Sequence, residues 1–430
     1  MTVALVFTLA CLLQDSSATL THGPLRGGSD SRSMDFWARA SAPGEYTLQL
    51  KTDPTSSSQF PAPKTSAASA ENDLTLHWRV GDLQPATKYV GMAVFRGDQE
   101  IWSDPKLSVR TPAGDDAIES SVVFGSCSNE RAYPEQPIWG AISAGGPDAL
   151  VLLGDTPYID STDLEVQRRR YREFFAFEPV RRALSETASY FTWDDHDYAA
   201  DGQWGRVKGR ENVRRAFLEY HASGDLGLAD EGIFQSFRRG PIEVFLLDTR
   251  WFGDTENSPL AEGERSLLGD LQITWLQRGL QKSKADFKLL ACGMVWNSAV
   301  RPNKRDCWCH WMAERDGLLR WIGERKISGV VLIGGDIHRS RVILHPVKSL
   351  AGYDVPEFIS SPLAQSVIES AKVDAPGLLF DVGTTSAFLR VDATRGAEGA
   401  LLRARILDSA GKELFSKTMG LAELSPPKEK

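Results

Sequence analysis

The sequence predicts two domains, an all-β sandwich followed by a layered α/β domain, and three observations carry that expectation. At 430 residues the chain exceeds the roughly 250–300 at which a single core stops growing. As far as Pro112 it consists of short β-prone runs separated by Pro, Gly, Asp and Ser clusters. Beyond that point short apolar runs alternate with amphipathic stretches of helical period. Hydrophobic residues at 42% and charged residues at 25% are ordinary for a soluble globular chain, which excludes a disordered, collagenous or multi-span membrane protein.

Residues 1–18 read as a processing signal. Val3 to Leu13 is an apolar run of signal-peptide length, too short to cross a bilayer as a helix, and Ser16-Ser17-Ala18 offers small residues for cleavage. Export is therefore expected, to the periplasm, the cell surface or the medium, although no Lys or Arg follows Met1. Cys11, after Thr8-Leu9-Ala10, is an alternative lipidation site that would tether the chain to a membrane by acyl chains.

Residues 19–112 form the expected sandwich. Phe36 to Arg39, Tyr46 to Leu50, Leu74 to Trp78 and Val90 to Phe95 are its strands, and Asp53 to Ala70, rich in Pro, Ser, Thr and Ala, reads as a long surface loop. Leu83-Gln84-Pro85-Ala86-Thr87-Lys88-Tyr89 resembles the corner before a late strand of fibronectin type III modules, which makes the sandwich fibronectin III-like. Thr111 to Asp116 is the linker.

In residues 113–424, Ser121 to Gly125, Ala149 to Leu153, Val244 to Leu247, Lys288 to Cys292 and Val330 to Ile333 suit strands buried on both faces. Leu268, Leu271, Trp275 and Leu280 fall on one helical face. Ala387 to Asp392 and Leu401 to Leu407 alternate apolar and polar residues, as expected of a hairpin closing the sheet edge. The tail over 425–430, Pro- and Lys-rich, is expected to be disordered.

Chemistry concentrates at the ends of those strands. Gly125-Ser126-Cys127, Gly154-Asp155-Thr156-Pro157-Tyr158, Trp193-Asp194-Asp195-His196-Asp197 and Gly334-Gly335-Asp336-Ile337-His338 each follow an apolar run. In an open α/β sheet the loops after parallel strands converge on one edge, where ligands bind. One Gly-Asp is usually a turn whose Asp bonds its own backbone; four such segments are hard to obtain by chance. They suit a multi-metal hydrolytic site, with Asp155 bridging two cations and Asp195, Asp336 and His338 adding ligands. Carboxylates so clustered cannot all ionise without cations.

The series Gly-Ser-Cys, Gly-Asp-x-x-Tyr, Trp-Asp-Asp-His-Asp and Gly-Asp-x-His resembles the alkaline phosphatase D (PhoD-like) branch of the calcineurin-like metallophosphatases. His22-Gly23-Pro24 with Phe36 to Arg39, Phe245 to Arg250, and Gln272-x-x-Trp275-Leu276 resemble further blocks of that family. The resemblance implies a four-layer α/β/β/α metallophosphatase domain and hydrolysis of phosphate mono- or diesters by attack of metal-activated hydroxide on phosphorus. It implies ferric iron at Cys127, Tyr158 and His338, since a thiolate and a phenolate both donate charge to a strong Lewis acid. Calcium would be held by Asp155, Asp195, Asp336 and Asp201, with other divalent metals as alternatives. The family commonly has Asn where this chain has Asp201. His196 is implied as the proton donor to the leaving oxygen, oriented by Asp197.

Arg131 and Arg250 are candidates to hold phosphate, though neither has a defining spacing. Cys307-Trp308-Cys309-His310 lacks the spacing and second ligand pair of a structural zinc site and suits a redox or packing role. A net charge of −8 gives no general attraction to nucleic acid and no basic patch is evident; a monomer is expected. The competing reading is a non-catalytic surface protein whose degenerate site holds calcium or an anion.

Overall fold

The computed structural model describes residues 18–52, 61–254, 264–302 and 304–427. The proposed signal, including Cys11, lies outside the described residues. Seven strands come first: β1 (Leu20–Asp30), β2 (Ser33–Ala40), β3 (Gly44–Thr52), β4 (Lys64–Ala68), β5 (Thr75–Val80), β6 (Lys88–Arg96) and β7 (Gln99–Arg110). They pair in the orders β1-β2-β5 and β4-β3-β6-β7, a three-on-four sandwich of the fibronectin III kind. The predicted corner is present: Tyr89 is buried and its hydroxyl accepts the Gln84 N–H at 3.0 Å. β4 lies inside the segment expected to be a loop. Its small residues give no apolar alternation, and it is held as an edge strand by its antiparallel ladder to β3.

β2 is buried on both faces. Met34, Phe36, Ala38 and Ala40 alternate into the sandwich core, while Trp37 points the other way into the second domain. There Trp37 packs on Phe175 and Tyr220, and its indole N–H donates to the Glu219 carbonyl at 2.9 Å.

The remaining elements are β8 (Glu119–Gly125), α1 (Ile138–Ala144), β9 (Ala149–Leu152), α2 (Leu164–Ala176), α3 (Glu178–Glu186), β10 (Ser189–Phe191), α4 (Asp195–Tyr198) and α5 (Arg210–Tyr220). They continue as β11 (Gln235–Arg239), β12 (Ile242–Leu246), α6 (Gly269–Lys282), β13 (Phe287–Ala291), α7 (Met312–Glu324), β14 (Val330–Gly334) and β15 (Ser340–His345). The chain ends with α8 (Lys348–Ala351), β16 (Val355–Ile359), β17 (Leu378–Val382), β18 (Ala387–Gly396), β19 (Gly399–Asp408) and β20 (Glu413–Gly420). One sheet runs β10-β9-β8-β18-β19-β20 and the other β11-β12-β13-β14-β16-β15-β17.

The two sheets face each other. Val122, Phe124 and Val151 of the first share a core with Val244, Leu289 and Val331 of the second. The opposite face of the first sheet, Val123, Leu150 and Leu152, is covered by α1, α2, α3 and α5, and α6 and α7 lie outside the second. This is the expected four-layer α/β/β/α order.

Two local expectations change. The inward face of α6 is Gln272, Leu276 and Leu280, with Leu271 and Trp275 only half-buried. Gln272 turns inward because its side-chain amide bonds both the N–H and the carbonyl of Asp248, each at 2.8 Å. The β18–β19 hairpin does not close the edge: β18 pairs with β8 in mid-sheet, and β20 takes the outer position. Of the tail expected to be disordered, residues 425–427 are described, with the Ser425 hydroxyl donating to the Leu421 carbonyl, and 428–430 lie outside the described residues.

Buried charge fastens the sandwich to the second domain. Arg168 of α2 makes two bonds of 2.7 Å to the carboxylate of Glu219 on α5 and reaches the Glu71 carbonyl of the sandwich at 2.5 Å. Both side chains are buried. Glu219→Ala removes two charge-assisted bonds but leaves Arg168 its Glu165 carboxylate and the Glu71 carbonyl, a change expected to cost about 1.5–3 kcal/mol. Chemical denaturation should show a midpoint shift of that size, with a smaller one for Glu219→Gln.

Candidate metal centre

The parallel strands of both sheets end at one place. Cys127 follows β8, Asp155 follows β9, Asp194 and Asp195 follow β10, Arg250 follows β12, Asp336 and His338 follow β14, and Ser361 follows β16. Each chain must turn sharply there to present its side chain. Cys127, Asp155, Asp336 and His338 all lie in the left-handed region, at φ 58°, 54°, 69° and 51°. For residues with a Cβ such backbone costs on the order of 1–3 kcal/mol each and clusters at functional sites. Gly154, at φ 100°, makes the closest approach: a Cβ there would sit 2.3 Å from the Asp194 nitrogen.

At one pole, Cys127 Sγ lies 3.5 Å from Asp155 Oδ2 and 3.4 Å from the Ser361 hydroxyl, and Tyr158 Oη lies 3.1 Å from His338 Nε2. Potential ligand atoms of Cys127, Asp155 and His338 fall within 4.8 Å of one another. The same holds for Asp155, Asp195 and His196, and for Asp194, Asp195 and Asp336. Because Asp155 and Asp195 are each shared, the three groups form one row from thiol to carboxylates.

Five buried atoms in the row lack a hydrogen-bond partner: Asp155 Oδ1, Asp194 Oδ2, Asp195 Oδ1, Asp336 Oδ2 and His338 Nδ1; of these Asp336 Oδ2 is in ion-pair contact with Lys304. Unsatisfied buried polar atoms are costly, and here they converge on one row of donors suited to metal ions. Burial, reinforced by Asp155, drives the Cys127 thiol well up, and burial does the same to the Tyr158 phenol. Burial and then Asp195 raise Asp155 strongly, while burial lowers His338 to about 4 and keeps its imidazole neutral. Each shift disfavours bare charge, so the ionised set calls for cations between its members. The residues fit metal ions.

The carboxylate pole carries its own cations. Fully buried Arg250 donates through Nε to Asp194 at 2.7 Å, binds it again through Nη2, and reaches Asp306 at 3.0 Å. Buried Lys304 lies 2.8 Å from Asp306 and 2.6 Å from Asp336 Oδ2. Burial opposes ionisation of Asp195, but Arg250 and His196 outweigh it and pull its pKa below the usual carboxylate value.

His196 stands at the half-exposed rim, its ring 4.5 Å from that of Tyr158. Its Nδ1 meets Asp160 Oδ1 at 2.5 Å. Burial pulls its pKa down, yet the Asp160 hydrogen bond and the charges of Asp155 and Asp195 lift it to about 10. Asp197, expected to orient this imidazole, instead accepts the backbone N–H groups of Asp155, Thr156 and Asp194. It anchors two ligand-bearing turns to each other.

The structure thus brings together Cys127, Asp155, Tyr158, Asp195, Asp336, His338 and His196. Asp201 stays outside: its side chain is 77% exposed and comes no closer than 4.0 Å to His196 Nε2. Arg131 is also exposed and tied to Glu173. Sequence reasoning passed over Asp194, Lys304, Asp306 and Asp160, and set Arg250 aside. Cys307 and Cys309 are joined by a disulfide, so they offer no thiolates for the three-residue group they would otherwise make with His310.

Two facing sheets with a row of sulfur, nitrogen and oxygen donors at their carboxyl ends define a protein of the calcineurin-like metallophosphatase fold. The chain belongs to the PhoD-like phosphatase family, whose model matches residues 122–385. It is 27% identical over 206 residues to alkaline phosphatase D of Bacillus subtilis (strain 168), a match spanning 41% of this chain and 35% of that relative's length. A solved structure of PhoD superimposes with a TM-score of 0.73 at 18% identity, covering 92% of both chains. Purple acid phosphatase PPD1 from yellow lupin (Lupinus luteus) seeds does so with a TM-score of 0.70 at 10% identity, covering 94% of this chain and 74% of that one. Both show the shared fold, and the family implies dependence on metal ions.

Gly154→Ala tests how tightly the turns must pack. Its left-handed backbone and the clash with Asp194 together predict a loss of about 3 kcal/mol or more. A lower unfolding midpoint should be accompanied by reduced metal content in the purified protein.

Proposed function

We propose that this chain is an exported metal-dependent phosphatase or phosphodiesterase. The observation that carries the reading is the row of buried donors from Cys127 to Asp336, with unpartnered oxygens on Asp155, Asp194 and Asp195, ending beside His196 at the rim, whose pKa is raised. Ferric iron suits the Cys127, Tyr158 and His338 pole because thiolate and phenolate both donate charge to a strong Lewis acid, and calcium suits the hard carboxylate oxygens. Bound cations would supply Lewis acidity, lowering the pKa of a coordinated water from about 15.7 toward about 7 and drawing charge from the phosphate oxygens.

The chain's own residues do the rest. His196 offers its Nε2 proton toward the leaving oxygen while Asp160 grips Nδ1 and fixes the ring. Tyr158 and Cys127 supply ligand charge from a pocket closed by Ser126 and Ser361. Export rests on the Val3 to Leu13 run; no helix among the described residues is long and apolar enough to cross a membrane.

The deciding experiment is metal analysis of the purified protein, with hydrolysis of a phosphomonoester and a phosphodiester measured before and after chelation. Iron and calcium should be present, chelation should abolish turnover, and Cys127→Ala should lose iron together with activity. Metal-free protein without chelator-sensitive turnover would sink the reading.

The histidine makes a separate pH prediction. A proton donor raised to about 10 acts below that pH and is lost as pH rises through it. Asp160→Asn removes the hydrogen bond that raises it, so the basic limb of the rate profile should move to lower pH with the acidic limb unchanged.

A further inference from the structure

Resting on the metal-dependent reading above, we infer that Lys304 is a built-in counter-ion that occupies one cation position of the centre. The carboxylate pole then takes a single divalent ion, not two.

The argument is an accounting of oxygens. Asp194, Asp195, Asp306 and Asp336 crowd the carboxylate pole, and each is buried. Arg250 claims Asp194 Oδ1 and one oxygen of Asp306. Lys304, its side chain 1% exposed, places Nζ 2.8 Å from the other oxygen of Asp306 and 2.6 Å from Asp336 Oδ2. The Gly202 N–H takes Asp195 Oδ2 at 2.6 Å. Buried and without a hydrogen bond are Asp155 Oδ1, Asp194 Oδ2, Asp195 Oδ1 and Asp336 Oδ2; the last is held by the Lys304 ion pair and Asp195 Oδ1 has only Arg250 Nη2 at 3.8 Å, which leaves the first three for one further divalent ion beside the thiol pole. At Asp336 an ammonium stands where a second would otherwise be needed. Asp194, Asp195, Asp306 and Asp336, if ionised, with Arg250 and Lys304 leave a residual charge of about −2, which one divalent ion offsets, while Asp155 lies between this pole and the thiol and is shared with it.

Lys304 is placed there by its loop. The Lys304 carbonyl receives His310 Nε2 at 3.2 Å, the Cys307–Cys309 disulfide lies just beyond, and Trp308 stacks on Trp296 at 4.3 Å between ring centres. Such a tether holds the ammonium in place when a divalent ion arrives.

Equilibrium dialysis with radiolabelled calcium, read as tightly bound calcium per chain, tests this. The wild-type chain is expected to hold one and Lys304→Met two, because the substitution frees Asp336. Equal uptake by the two proteins, zero included, overturns the inference, whereas phosphate-ester hydrolysis by the same wild-type preparation judges the phosphatase reading separately. Should the variant fail to fold, amine acetylation of the wild type followed by peptide mass spectrometry decides. Lys304 is expected to stay unmodified with and without saturating calcium; modification that appears on adding calcium overturns the inference.

Discussion

Everything in the second domain follows from holding a set of acidic side chains out of water at the meeting of two sheets. Asp155, Asp194, Asp195, Asp306 and Asp336 are all buried, and an isolated ionised carboxylate in such surroundings would be driven to protonate. The fold answers with Arg250 and Lys304 on one side of the row and leaves a set of open ligand atoms on the other. Those open atoms are suited to metal ions that would complete the charge balance. A buried pair or network of this kind is a poor source of stability. Its persistence points to function.

Two further buried carboxylates do a different job and explain why the row keeps its shape. Asp197 binds the backbone nitrogens of Asp155, Thr156 and Asp194, tying the turn after β9 to the turn after β10. Asp248 accepts Trp193 Nε1 at 2.7 Å together with the Arg250 and Trp251 N–H groups, and is itself positioned by Gln272. Through Asp248 the orientation of Arg250, and so of Asp194, is set by a glutamine on α6. Rigid second layers of this kind hold ligands in place in metal sites generally.

How much of this was readable in the sequence depended on how local the determinant is. The two-domain order, the tyrosine corner and the ligand turns were legible because Gly125, Gly154 and Gly335 lie immediately beside the residues they serve, and strand-to-turn transitions are written in consecutive residues. Asp194 was not, because its partner Arg250 is 56 residues away and Gly293, whose missing side chain makes room for it, still further. Lys304 and Asp306 sit in an irregular loop that no periodicity places. Asp201 illustrates the converse: the family resemblance implied a ligand there, but its side chain lies at the surface, and the N–H of the next residue, Gly202, reaches Asp195. The face of α6 was misread because Gln272 is polar and yet points inward to a hydrogen-bonding job.

The sandwich has its own place in this logic, and α2 supplies the connection. On one side of that helix Arg168 and Arg172, one turn apart, hold the Glu71 carbonyl and Asp73 of the sandwich. On the adjoining side Gln167 and Arg170, likewise one turn apart, grip the Ser161 and Asp197 carbonyls and the Tyr158 carbonyl, while Arg170 also pairs with buried Glu130 beyond Cys127. A single helix therefore carries contacts of the first domain and holds the Tyr158 carbonyl at the candidate site. The first domain thus packs against the helix that holds the Tyr158 and Asp197 backbone, and β2 turns Trp37 outward onto Phe175 of α2 and Tyr220 of α5 as part of the same contact.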